Sequence, residues 1–322
     1  KIGSTLRVRL PNQYLRTQGS RVMDVQDQSE ATLPITVATQ DHVDMRFNSA
    51  ELALSIDEIS KRYIEPAMSV LISGVEADYI AFATKATANL AGTAGTAITD
   101  LVVPGAARAK LNQGLAPKNG SRMVQMESVA MGSLVNGLKG MFQDSQQIKE
   151  QYREGMVGRT AMADFYENER VWTMANPTSV AITTGVLNGP TLVNGLSTVT
   201  TATAPATLPP GAVFTVAGIY AVHPETKTVY SNLQQFTVVT SNSASTVQIS
   251  PTIYISGAQQ NVAAASGAQL TSTSNVTSAA LVFVGAQTTS YVQNLMYHRD
   301  AFTFATAELP LMAAAEKCVR KT

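Results

Sequence analysis

Residues 209–224 read PPGAVFTVAGIYAVHP, and residues 225–240 continue ETKTVYSNLQQFTVVT. Val213–Val216, Thr228–Tyr230 and Phe236–Thr240 are runs of β-branched and aromatic residues, with Pro209-Pro210-Gly211 and Pro224 between them. Short runs of this kind bounded by turn residues predict strands. Further along, Val247–Ile249 and Ile253–Ile255 repeat the pattern. From Thr183 to Thr289 the only charged side chains are Glu225 and Lys227, and Thr, Ser, Ala, Gly and Val dominate. The spacing predicts a small all-β barrel or sandwich over residues 183–289, inserted into a chain of different composition.

On the N-terminal side, residues 105–182 interleave helix and strand signals. A short helix is expected around Ala106–Gln113, a strand around Met123–Met126 and a helix near Val129–Leu138. Asp144 with Gln147 caps another helix that Gly155 stops, and a strand follows near Thr160–Phe165. Further upstream, Ser55 with Glu58 forms a capping box, and Pro66 suits the first turn of a new helix, where its missing N–H costs nothing. Met68, Leu71, Val75, Tyr79, Phe82 and Ala86 then recur at helical spacing, and Gly92 and Gly95 are expected to end the helix. At the start of the chain, Leu6, Val8 and Leu10 alternate with Arg7 and Arg9. Ile35, Val37, Val43, Met45 and Phe47 lie on one face of an expected second strand. Two strands joined by the polar loop Gln13–Leu33 predict a projecting hairpin, which needs something to lie on.

The chain has 322 residues, enough for two or more domains. Hydrophobic residues make up 45%, which argues against disorder. Charged residues are only 14%, against roughly 25% in an ordinary soluble domain, so either a hydroxyl-rich surface stays wet or much surface is buried against other chains. Net charge is +0, and no basic stripe marks a nucleic-acid grip. No uninterrupted apolar run long enough to span a bilayer is read, and a lone Cys318 rules out an internal disulfide.

Catalytic material is sparse, and no enzyme is expected. His42, His223 and His298 lie too far apart in sequence to suggest a metal shell, so no metal or cofactor is anticipated. His298-Arg299-Asp300 spells the start of a kinase loop without the other kinase parts. The Gly92–Gly95 run lacks the Gly-Lys-Ser/Thr ending that cradles phosphate, and Asn275-Val276-Thr277 carries meaning only on a secretory route. The carboxylates of Asp144–Glu154 and Asp164–Glu169 alternate with Lys149, Arg153, Arg159 and Arg170, as on solvated helix faces and at interfaces. The arm carries Arg7, Arg9, Arg16, Arg21, Asp24, Asp27 and Glu30. Opposite charges on a projecting loop suit contact with a neighbouring copy, where complementarity fixes register.

The order of arm, long helix, mixed unit, β-insertion and return resembles the Hong Kong 97-type capsid fold. Three stretches extend the likeness: Gln147–Arg159; Pro210–Gly218 with Val222–Thr226 and Leu233–Phe236; and Asn294–Pro310. They are similar to runs in the coat-protein family of short-tailed Salmonella phages. The resemblance implies an α+β major capsid protein of a tailed phage. Its parts would be an extended loop over residues 1–49, a spine helix and part of the peripheral domain over 50–104, an axial domain over 105–182 and 290–322, and the inserted β-domain over 183–289. The N-terminal arm and the last peripheral strands of the family would then be missing.

The resemblance also implies self-assembly into pentamers and hexamers of an icosahedral head. It brings a scaffolding protein, a portal at one vertex, a possible decoration protein, and enclosed double-stranded DNA that is not read by sequence. No membrane is implied; assembly would take place in the bacterial host cytoplasm. The competing reading is a phage decoration or adhesin protein whose β-domain binds a glycan or receptor.

Overall fold

The computed structural model describes residues 5–19, 23, 25, 30–37, 39–44, 60–138, 158–160, 162–176, 181–182, 192–200, 208–243, 246–270, 281–286 and 288–306. The capping residues Ser55, Glu58, Asp144 and Gln147, most of the Gln147–Arg159 run, and Cys318 lie outside them. The fold is mixed α+β, with many strands and few helices.

Strands β1 (Thr5–Arg9) and β2 (Thr32–Thr36) form a two-stranded antiparallel sheet of their own. The arm is thus a hairpin, but its second strand lies earlier than expected. Leu6 pairs with Ile35 and Val8 with Leu33, so Leu33 and Ile35 form the apolar row. The described residues of 37–44 are not strand, although Val37 and Val43 alternate there. Alternation alone does not make a strand; a partner edge does.

Helix α1 (Glu65–Ala86) follows a π-helical turn at Ser60–Ile64, with Pro66 in its first turn as the sequence requires. It ends before Gly92 and Gly95, because Thr87 is already extended and its hydroxyl donates to Ala83 O at 2.8 Å. Helix α2 (Val102–Gln113) begins before the expected Ala106 and contains Pro104 and Gly105 inside its first turn. Proline at a helix start gives up only an N–H that has no helical partner.

A four-stranded sheet has the order β15 (Leu295–His298), β3 (Arg122–Met126), β5 (Ala163–Glu167), β4 (Arg159–Thr160). Strand β3 runs parallel to β5 and antiparallel to β15. Strand β4 turns back into β5 through Met162, at φ 62, so the expected single strand near Thr160–Phe165 is a tight hairpin. Helix α3 (Ser128–Leu138) buries Met131, Leu134 and Leu138 against Val124, Met126, Ala163 and Phe165. A ribbon of β6 (Thr173–Ala175) and β14 (Ser290–Val292) carries the chain out to the β-rich unit and back.

That unit is a seven-stranded sheet drawn from residues 181–283. Its strands are β7 (Ala181–Ile182), β8 (Leu196–Thr200), β9 (Val213–Val222), β10 (Val229–Ser243), β11 (Thr246–Ile253), β12 (Val262–Ala263) and β13 (Leu281–Phe283). They lie in the order β7-β13-β9-β10-β11-β8, with β12 also on β9. Phe214 packs on Phe236 and Phe283, with ring centroids 5.8 and 5.3 Å apart, at the centre of an apolar core. The expected strands at 228–230 and 236–240 are one strand, β10, broken by register shifts against β9. Those at 247–249 and 253–255 are largely one strand, β11, which ends at Ile253. Pro251 falls where β11 leaves β8, between Gln248 and Ile253, so its missing N–H removes no paired bond there.

The β-rich unit is seated on the end of α1. The Gln235 side chain accepts from Leu90 N at 2.9 Å and donates to Leu90 O at 3.1 Å, taking the place of a neighbouring backbone. Thr237, fully buried, donates its hydroxyl to Lys85 O at 3.1 Å. Lys85 lies 5.3 Å above the Trp172 ring, and Gly211 at φ +92 is held so close to both that a Cβ would meet them under 3 Å. The lone tryptophan is therefore part of a joint between three segments.

Candidate interaction surface

The arm presents the clearest functional geometry. Leu6, Val8, Leu33 and Ile35 share one face of the ribbon, because partners across an antiparallel pair point the same way. Leu6 is 65% and Leu33 54% exposed, so this face is largely uncovered. Arg7, Arg9, Pro34 and the flanking threonines share the opposite face.

Of the expected contact residues, Arg7 and Arg9 stand on β1, Arg16 lies beyond it and Glu30 comes just before β2. The structure brings Arg9 and Glu30 together at 3.1 Å, both well exposed. Arg21, Asp24 and Asp27 lie outside the described residues. His42 lies 3.3 Å from Asp44 in the exposed segment after β2.

Helix α1 is the second open surface. Glu76 ties it to the rest of the fold, accepting from Asn168 and from Arg170, each at 2.8 Å, while Arg170 also donates to Ser73 at 2.7 Å. Ile80 and Ala83 are the residues it buries. The sequence stripe of Met68, Leu71, Val75, Tyr79, Phe82 and Ala86 lies about a quarter turn round from that seat. Met68 is 49% and Phe82 68% exposed, as is Ile72 beside them at 60%. Tyr79 alone finds aromatic cover, edge-on to Phe302 and Phe304 of the returning chain at 6.4 and 5.7 Å. The apolar stripe was legible; that Met68, Phe82 and Ala86 stand exposed, with Leu71, Val75 and Tyr79 only half-buried, was not.

By length and composition, Lys61–Ala86 is one helix apolar enough to cross a bilayer, contrary to the sequence expectation. The apolar stretch lies within α1 itself, beyond Lys61 and Arg62 of the π-helical turn. Its middle carries Glu76 and Asp78, and Glu76 is spent on Arg170 and Asn168; carboxylates at that depth in lipid are costly.

The remaining chemistry-bearing residues have structural partners. His223 Nδ1 accepts from the backbone N–H groups of Glu225 and Thr226, shaping the β9–β10 turn. In the same turn Lys227 reaches Ala258 O at 2.6 Å and Gln260 O at 3.2 Å, and burial lowers its pKa. His298 is buried; its Nδ1 accepts from Asp300 N and its Nε2 meets Asn119 Oδ1 at 2.9 Å. Thus His298-Arg299-Asp300 is a capped helical turn. Arg122, almost wholly buried, donates to Pro117 O, Asn112 Oδ1 and Ala116 O, fastening the α2–β3 connection. Burial, then the nearby Arg108 charge, lowers its pKa.

Two of the described carboxylates of the 164–169 group are likewise engaged: Asp164 lies 3.7 Å from Arg159, and Glu169 accepts from the Ser128 hydroxyl. Among the described residues no group of three or more His, Cys, Asp or Glu is placed to hold a metal.

No protein-family model matches the chain, and no curated protein does. Solved structures are similar in part, among them these two. A chain of Mycobacterium phage Che8 has a TM-score of 0.42 at 15% identity, over 52% of this chain and 63% of that one. The match therefore spans under two thirds of the phage chain. The CUS-3 coat protein I-domain has a TM-score of 0.23 at 24% identity, over 31% of this chain and 93% of the domain.

Proposed function

We propose that this chain is the major capsid protein of a tailed phage, a Hong Kong 97-type shell subunit with no enzymatic activity. The observation that carries the reading is the arm: a two-stranded ribbon with one apolar face, uncovered by its own fold. A ribbon of two strands is marginal in water, and an apolar face of this kind calls for a partner surface. The exposed apolar residues of α1, Met68, Ile72 and Phe82, add a second surface of the same character. In this reading copies join as pentamers and hexamers around double-stranded DNA. A scaffolding protein guides assembly, a portal occupies one vertex, and a decoration protein is an optional outer partner. The order of arm, helix, mixed unit and β-insertion supports it, as do the three stretches of family resemblance.

The adhesin alternative has less to stand on. Trp172 is engaged at the joint with Lys85 and Gly211, and Tyr220, Tyr230 and Tyr254 of the β-rich unit are half-buried. The test is co-expression with the neighbouring scaffold gene, followed by negative-stain electron microscopy. Closed shells of uniform size are expected. Folded protein that yields only small discrete particles would overturn the capsid reading.

A further inference from the structure

We infer that one end of the four-stranded sheet binds the phosphates of a nucleic-acid backbone through Arg108, Lys118, Arg159 and Arg299, gathered around the buried Arg122 guanidinium. The inference goes beyond the capsid reading and stands on charge placement alone.

The sheet topology makes the cluster. Strand β3 starts at Arg122, and β15 ends beside it, with His298 opposite Arg122. Strand β5 runs parallel to β3 and starts at the same end, where Asp164 lies opposite Arg159 of β4. The loop 116–121 is tied to this end by its carbonyls. Ala116 O and Pro117 O accept from Arg122, Gly120 O accepts from Arg159 at 2.9 Å, and Ser121 O accepts from Arg299 N at 2.9 Å. Lys118 lies on the loop itself and is exposed. Arg108 stands one helical turn before Asn112, which accepts from Arg122, and its charge lies close enough to add to the effect of burial on Arg122. Four segments distant in sequence converge here, which is why no basic stripe shows in linear order.

Counter-charge is short at this end. From Leu101 to Met126 the basic residues are Arg108, Lys110, Lys118 and Arg122, and there is no Asp or Glu. The three acceptors of Arg122 are neutral oxygens, whereas buried charges are ordinarily paired. Two carboxylates are described beside the cluster: Asp164 lies 3.7 Å from Arg159, and Asp300 lies 3.7 Å from His298 Nδ1. Arg108, Lys118 and Arg299 have no side-chain ion pair or hydrogen bond among the described residues. At the far end of the same sheet the sign reverses: Glu167 ends β5, Glu127 follows β3, and Arg170 is spent on Glu76. A chain of net charge +0 thus separates its charges along one sheet, and the local field is one that the net charge conceals.

The chemistry of the cations selects phosphate. Three of the four are arginines, whose planar forks meet paired phosphate oxygens. Arg159 and Arg299 belong to the two outer strands, about 14 Å apart across three strand spacings, a span comparable with the roughly 12 Å of a duplex major groove. A phosphate backbone offers charge at short, fixed spacing, which suits cations held by a sheet and a tied loop. Such contacts position a duplex without reading its sequence.

The experiment titrates a labelled mixed-sequence DNA duplex with the full chain at about 50 and 200 mM salt, read by fluorescence anisotropy. The chain is used unaltered or with Arg108→Gln, Lys118→Gln and Arg299→Gln together. The triple variant should bind more than about tenfold more weakly, with a salt slope smaller by about 2–3, because each phosphate contact contributes about 0.9. Glu167→Gln, at the far end, should leave binding unweakened. Duplex binding that is absent, or equal in the triple variant and the unaltered chain, overturns the inference and leaves the capsid reading standing. Duplex binding by a chain that never forms shells overturns the capsid reading alone. A triple variant that keeps its duplex binding but self-associates less would assign the cations to the acidic end of another copy, and so overturns the inference too. Should the triple variant fail to fold, acetylation of the unaltered chain decides. Duplex is expected to slow modification of Lys118 and not of the exposed Lys61, and equal effects on both overturn the proposal.

Discussion

Gly137 and Gly132 stand in the same helix, α3, and carry opposite consequences. A Cβ on Gly137 would lie 1.6 Å from the carbonyl oxygen of Thr99, a backbone atom that cannot swing aside. A Cβ on Gly132 meets nothing within 4 Å. Alanine normally favours a helix over glycine by about 1 kcal/mol. Gly132→Ala should therefore stabilise by up to about 1 kcal/mol, and Gly137→Ala should destabilise by about 2–3 kcal/mol despite the same propensity gain. Urea unfolding of the two variants checks this, and a stabilised Gly137→Ala would mean that the 96–101 segment does not lie against α3. The sequence shows two glycines in a helical pattern and no way to tell them apart, because the neighbour that matters is distant along the chain. Histidines were more legible: their isolation in sequence argued for structural roles, and His223 and His298 each cap a turn.

At the scale of elements, helices and strands with one buried face were readable. Strand β3 and helix α3 lie within a residue of their expected limits because burial enforces their periods. The long strands of the β-rich unit were not, since each bulge in β10 resets the alternation and makes one strand look like two. The seating of β10 on α1 was invisible for a related reason: Gln235 reads as a polar residue in a strand, yet it satisfies both backbone groups of Leu90. Gln235→Leu leaves that N–H and C=O without their partner, at a cost of about 2 kcal/mol. The local signature is more telling than the global one: the Leu90 amide should exchange faster while the interior of β9 keeps its protection. Unchanged exchange at Leu90 would show that the joint is held by Thr237 and the Trp172–Lys85–Gly211 contact instead.

For the whole molecule, the order of parts was legible, while the outward turn of α1 was not, because a helical stripe records which residues share a face and not what lies opposite it. In the proposed assembly, the uncovered arm face and the exposed apolar residues of α1 set the thermodynamics of association. Burying apolar surface is entropy-driven near room temperature and weakens on cooling. Exposed ion pairs such as Arg9–Glu30 contribute at most about 1 kcal/mol and are screened within about 10 Å at 0.1 M salt. If apolar contact dominates, cooling from about 25 to 4 °C lowers the assembled fraction reversibly, and raising salt to about 0.5 M changes it little. Light scattering across the two conditions separates the contributions. Assembly that is indifferent to cooling but dissolved by salt would shift the weight to the arm's charges, with Leu6, Val8 and Leu33 then serving only to hold the ribbon's shape.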